Sequence, residues 1–82
     1  MPTIAIVEGV KIQMFYNDHA PPHFHAVLGN HELLVAIGRL EVIRGSLPPA
    51  KIRRILAWAT DHNDELMLNW IKCQHEQMPK RI

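Results

Sequence analysis

The chain has 82 residues, 48% of them hydrophobic, with nine Lys and Arg against eight Asp and Glu and a formal net charge of +1. That length and composition fit a single domain, residues 1–82, with a modest core, and exclude a disordered chain and a strongly basic nucleic-acid-coating protein. One cysteine, Cys73, excludes a disulfide framework and a cysteine-rich zinc module. No strictly apolar run is longer than that of residues 33–37, far short of a bilayer span. Residues 1–4 lack the basic and apolar regions of a leader, so the expectation is a cytoplasmic protein with no membrane contact.

The first half is patterned as strands. Within residues 3–8, Ile4 and Ile6 share one face and Ala5 and Val7 the other. Both faces are apolar, which predicts a strand between neighbours or beneath helices. Glu8-Gly9 marks a turn, since glycine accepts positive φ. Val10, Ile12, Met14 and Tyr16 then alternate with Lys11, Gln13 and Phe15, which predicts a second strand over 10–16 and a β-hairpin. Residues 17–22, with Asp18 and Pro21-Pro22, read as an irregular loop. A strand over 24–28, a tight turn at Gly29-Asn30 and a strand over 32–37 follow. A turn at Gly38-Arg39 and a short strand over 40–43, ended by Gly45, complete this half.

The second half is patterned as helices. Pro48 and Pro49 suit a first helical turn, where no backbone donor is missed. Ile52, Ile55, Leu56 and Ala59 form one apolar stripe, with Trp58 beside it and Lys51 and Arg54 off it. Asp61-His62-Asn63 marks a break. A second helix follows to residue 77, with Leu66, Trp70 and Cys73 inward and Asp64 and Glu65 suited to its positive end. The expected fold is α+β: an antiparallel sheet of four to five strands over residues 3–44, then helices over about 48–61 and 63–77, packed on one sheet face. Trp58 and Trp70 are expected to seal the helices onto the sheet, and Cys73 to be a small buried hydrophobe.

Charge is unevenly placed. Residues 39–54 hold Arg39, Arg44, Lys51, Arg53 and Arg54 against Glu41 alone. Arg44, Lys51 and Arg54 are candidates for a nucleic-acid contact, beside the simpler reading of a solvated basic face. Neither a helix-turn-helix pattern nor an aromatic sheet motif accompanies them.

The strongest chemical signal is Asp18-His19-Ala20-Pro21-Pro22-His23-Phe24-His25, which gathers three of the six histidines and a carboxylate. His23 and His25 are two apart at a strand start, so they share a face, with Phe24 turned to the core. Prolines stiffen the loop that carries His19. His19, His23 and His25 with Asp18 are candidate ligands for Zn²⁺ or another first-row divalent metal, with Asp18 either a direct ligand or the acceptor that fixes an imidazole tautomer. The same three histidines are candidate catalytic acids and bases on a phosphodiester without a metal. Alternatively they bond backbone groups and only shape the loop. His31, His62 and His75 are expected at the surface. No serine–histidine–aspartate pattern, phosphate loop or dinucleotide fingerprint is present.

Phe15-Tyr16, Asp18-His19 and Pro21-Pro22-His23-Phe24-His25, after Met1-Pro2-Thr3-Ile4, resemble domain-of-unknown-function family 4160 (DUF4160). Gly45-Ser46-Leu47-Pro48, Trp58, Glu65-Leu66, Trp70, Pro79 and Ile82 extend the likeness over the whole chain. The resemblance implies a small prokaryotic protein without an established activity, and so no catalytic residues to carry over. It also implies a neighbouring small domain, as in a toxin–antitoxin-type or regulatory pair. Residues 74–77 stand where the family more usually has a glycine-containing stretch, a departure that predicts a longer last helix.

Two functions are compatible with these features. One is a binding or regulatory module with a protein partner or a second copy, for which exposed strand edges are suited, with nucleic acid as a further contact. The other is a small hydrolase or nuclease built on His19, His23 and His25, with or without a metal.

Overall fold

The computed structural model describes residues 2–82. Five strands come first: β1 (Thr3–Val7), β2 (Val10–Gln13), β3 (His23–Leu28), β4 (His31–Ala36) and β5 (Val42–Gly45). Helices α1 (Pro49–Asp61) and α2 (Asn63–Gln74) follow, so the fold is α+β. The strands form one antiparallel sheet in the order β1-β2-β3-β4-β5, because short turns join neighbours in sequence. Two of those turns are two-residue hairpin turns, Glu8-Gly9 and Gly29-Asn30. The first carries positive φ at both residues, the conformation that matches the twist of the flanking strands.

Register sends Ile12, Phe24, Ala26, Leu33 and Val35 to one face of the sheet. All five are fully buried, together with Ile55 and Ala59 of α1 and Leu66, Trp70 and Cys73 of α2. Phe24 meets Trp58 edge-on at 6.2 Å between ring centres. Asn69, buried on α2, has both ends of its amide paired: it donates to the Lys80 carbonyl at 2.8 Å and accepts from the Lys80 N–H at 2.9 Å. That pairing lays the C-terminal residues along β1, where Ile82 donates to the Ile4 carbonyl at 2.8 Å.

Of the two positions the pattern allowed for β1, it takes the one beneath a helix, as an edge strand against α1; a bulge between Thr3 and Ala5 buries both Ile4 and Ala5, while Ile6 stays 60% exposed. Three boundaries differ from the sequence pattern. β2 stops at Gln13, so Phe15 and Tyr16 lie outside the sheet and Tyr16 is exposed. β5 begins at Val42 and contains Gly45, because Leu40 takes positive φ and is spent on the turn. α2 ends at Gln74 rather than 77. Glu76 there adopts φ +56, and the Glu76 and Gln77 N–H groups donate to the Cys73 and Lys72 carbonyls at 3.2 and 2.8 Å. This is a Schellman stop, closed on a glutamate in the conformation that glycine adopts at least cost.

Gly45 has the least freedom of the glycines. Its φ is +91, and a Cβ there would run into the Glu32 carbonyl across the β4–β5 pair. Gly45→Ala is expected to destabilise the fold by at least ~1–3 kcal/mol, and by more than Gly38→Ala, whose Cβ would meet open space. Glu76→Gly is expected to stabilise it by about 0.5–1 kcal/mol. Urea denaturation of the three variants checks both; equal losses at the two alanine positions, or no gain at residue 76, would contradict the assignments.

Candidate metal centre

His23 and His25 lie on the face of β3 opposite Phe24 and Ala26, as period-two alternation requires. Residues 14–22 fold back over that face instead of leaving it to solvent, so both histidines are buried, at 6% and 8% exposed. The end of α2 pins the loop. Asn17 N–H donates to the Cys73 carbonyl at 3.3 Å, and Gln74 Nε2 donates to the Asp18 carbonyl at 3.2 Å. At the far end of the loop, Ile37 N–H donates to the Pro22 carbonyl at 2.9 Å.

Asp18 Oδ2 stands 3.0 Å from Nε2 of His23 and 3.0 Å from Nε2 of His25. Each ring turns its other nitrogen to a different acceptor: His23 Nδ1 to the Pro21 carbonyl at 2.8 Å, His25 Nδ1 to Glu32 Oε2 at 3.0 Å. A carbonyl only accepts and an ionised carboxylate only accepts, so both Nδ1 atoms carry a proton. In a neutral imidazole that leaves Nε2 as a lone pair. Two nitrogen lone pairs and a carboxylate oxygen then converge with no donor between them. Either added protons or a cation must occupy the centre. A carbonyl or carboxylate behind each imidazole is also the support that metal-binding histidines carry, since it fixes the tautomer and aims the free nitrogen inward.

The donor set fits a first-row divalent ion. The three ligand atoms lie within 4.8 Å of one another. The two 3.0 Å separations are those of direct hydrogen bonds, so an ion held between the three atoms would take over contacts that protons otherwise make. The rings are held from outside as well. Phe15 meets His25 edge-on at 4.2 Å, Trp70 lies 5.2 Å from His23, and the two imidazoles are 5.0 Å apart. Burial pushes the Asp18 carboxyl up, but with a proton rather than a cation at the centre, hydrogen bonds from His25 Nε2 and from the His19 N–H at 2.8 Å, with the nearby imidazoles, outweigh it and hold it below its ordinary 3.8.

Of the residues singled out in the sequence, the structure brings together Asp18, His23 and His25. His19 is exposed; its backbone orients Asp18, and its ring borders a shallow pocket of about 310 Å³ beside the centre rather than joining the ligand atoms. Arg44, Lys51 and Arg54 are not gathered. Arg44 sits on β5 and lines the same pocket. Lys51 donates to the Glu8 carbonyl at 2.7 Å and Arg54 pairs with the Glu8 carboxylate at 3.4 Å, at the turn of the opposite hairpin. His31 and His75 are exposed, whereas His62 is half-buried, its ring tilted against Trp58 at 5.1 Å between centres and bonded to Glu65 at 2.7 Å.

Glu32, Phe15 and Gln74 escaped the sequence reading. Glu32 had a usable signal: a two-residue turn at Gly29-Asn30 sets His25 opposite Leu34, which puts Glu32 on the same face one diagonal away. Phe15 and Gln74 had none, because their contacts come from the path of the loop and the end of α2.

A family model described as a domain of unknown function, DUF4160, matches residues 9–71, a span that contains the whole cluster. No curated protein and no solved structure matches the chain.

The lowered Asp18 value links the cluster to stability. A carboxyl whose value falls on folding stabilises the fold above its unfolded value, and the contribution is lost as pH drops through the folded one. In metal-free protein the stability gap between wild type and Asp18→Asn should therefore be full at pH 6 and should close below about pH 3.8. Urea titrations at pH 6 and pH 3 measure it; a gap that stays constant would mean Asp18 is not held ionised by the histidines.

Proposed function

The chain belongs to the DUF4160 family, and from the geometry of its site we propose that it is a divalent-metal-binding domain with hydrolytic chemistry at the metal. One observation carries this reading: His23 and His25 both turn Nε2 to Asp18 Oδ2 at 3.0 Å while a carbonyl and a carboxylate stand against their Nδ1 atoms, the arrangement that leaves Nε2 free for a cation. Two imidazoles and one carboxylate suit Zn²⁺ and its first-row neighbours better than Mg²⁺ or Ca²⁺. Three protein ligands leave coordination positions for water or substrate, and such an ion supplies Lewis acidity and a nucleophilic water near neutral pH.

In this reading each residue has a separate task. His23, His25 and Asp18 are the ligands. Pro21 and Glu32 hold the tautomers, and the His19 backbone steadies Asp18. His23 and His25 acting as free acid and base is the weaker alternative, because both Nε2 atoms are already turned to Asp18 rather than to the pocket. His19, with its ring exposed at the pocket, is the histidine placed to exchange protons with a substrate.

A second reading, a regulatory module in a toxin–antitoxin-type pair, draws on a different feature. β5 is an edge strand with all four residues exposed, including Val42 and Ile43 at 42% and 45%. Such an edge offers backbone donors and acceptors to a strand of a partner or of a second copy.

Tag-free protein is expected to take up one equivalent of Zn²⁺ or Co²⁺ by calorimetry and elemental analysis. His23→Ala or His25→Ala should abolish stoichiometric uptake, and Glu32→Ala should weaken it by ~10–100-fold through loss of the Nδ1 acceptor. His19→Ala should leave affinity unchanged. Uptake that survives His23→Ala, or none by the wild type, would overturn the assignment.

A further inference from the structure

We infer that the pocket beside the metal ligands receives the phosphate group of a small molecule, with Arg44 as its clamp. This deepens the metal reading and rests on it. Pairing places His25, Leu34 and Arg44 in one row across β3, β4 and β5. The backbones of His25 and Arg44 are thus two strand spacings apart, roughly 10 Å. A guanidinium on its extended stem and an ion on the imidazoles can close that span around one tetrahedral oxyanion. A bulge between Leu34 and Val35 in the β4–β5 pairing brings both Ile43 and Arg44 to the pocket.

Charge supports the same ligand. Among the described residues Arg44 forms no salt bridge, while Lys51 and Arg54 are engaged at Glu8. An unpaired arginine facing a metal centre is suited to bidentate capture of phosphate oxygens. Leu34, Ile43 and Pro21 give the pocket apolar walls against which a small organic group can lie. A long polyanion is the poorer fit: Arg39 borders the adjoining pocket together with the Glu41 carboxylate, and Lys51 and Arg54 are engaged at the Glu8 turn, so no continuous basic track leads away from Arg44.

The test uses the full chain loaded with Co²⁺ and titrated with inorganic phosphate, followed by the visible absorption of the ion. A saturable spectral change is expected in the wild type. Arg44→Ala should weaken phosphate by at least ~10-fold, the worth of a charged hydrogen bond, with Co²⁺ affinity unchanged, and Arg44→Lys should recover part of the loss. Stoichiometric Co²⁺ without a phosphate response, or equal phosphate affinity in Arg44→Ala, overturns this inference alone. Failure to take up Co²⁺ overturns the metal reading and this inference with it. A single-stranded oligonucleotide that displaces phosphate far more tightly than a small phosphomonoester, with a steep salt dependence, would reassign the pocket to nucleic acid and refute the small-molecule ligand.

Discussion

Strand β3 carries two incompatible chemistries on one backbone, and its pairing register is what keeps them apart. Phe24 and Ala26 must face the core, and His23 and His25 must face the loop. A slip of one residue would drive the imidazoles under the helices and expose Phe24. The register is fixed from both sides, by the Gly29-Asn30 turn to β4 and by the pairing of Gln13 with His25 on β2. The central position of β3 is therefore a condition of the site as well as of the sheet.

The cluster is completed by elements distant in sequence. Asp18 reaches the two imidazoles only because the end of α2 holds the loop, through the Cys73 carbonyl and the Gln74 amide. Glu32 reaches His25 because β4 returns beside β3, and its carbonyl at the same place sets the close approach that only Gly45 allows. The Asp18, His23 and His25 cluster, the acceptors behind it and Gly45 of β5 thus form one connected structure. Buried acceptors that converge without donors are costly unless a cation or protons join them.

The surface separates roles that a charge count merges. Residues 39–54 look like one basic segment in sequence. In the fold, Lys51 and Arg54 are consumed at the Glu8 turn while Arg44 faces the histidines. The exposed edge of β5 lies next to the same pocket, since Ile43 belongs to both. The helices carry no segment long and apolar enough to cross a membrane among the described residues.

Local pattern determined much of this protein. Strand alternation and glycine turns gave the order of elements, the antiparallel sheet and the shared face of His23 and His25, because these depend on a period of two and on positive φ. The apolar stripe of α1 was equally legible, since helical period and burial coincide. The ends of elements were less so. β2 stops where the loop turns over the sheet, Leu40 and Glu76 take positive φ without being glycine, and β1 carries a bulge and a C-terminal cover in addition to the helix packed on it. Sequence proximity placed His19 with the cluster, but only the tertiary path of the chain decided that Asp18, His23 and His25 converge, that Glu32 bonds His25 and that Arg44 lines the pocket beside them. Such convergence depends on contacts between β3, β4, β5 and α2, and no local spacing rule encodes the distance between groups that meet only when the chain is folded.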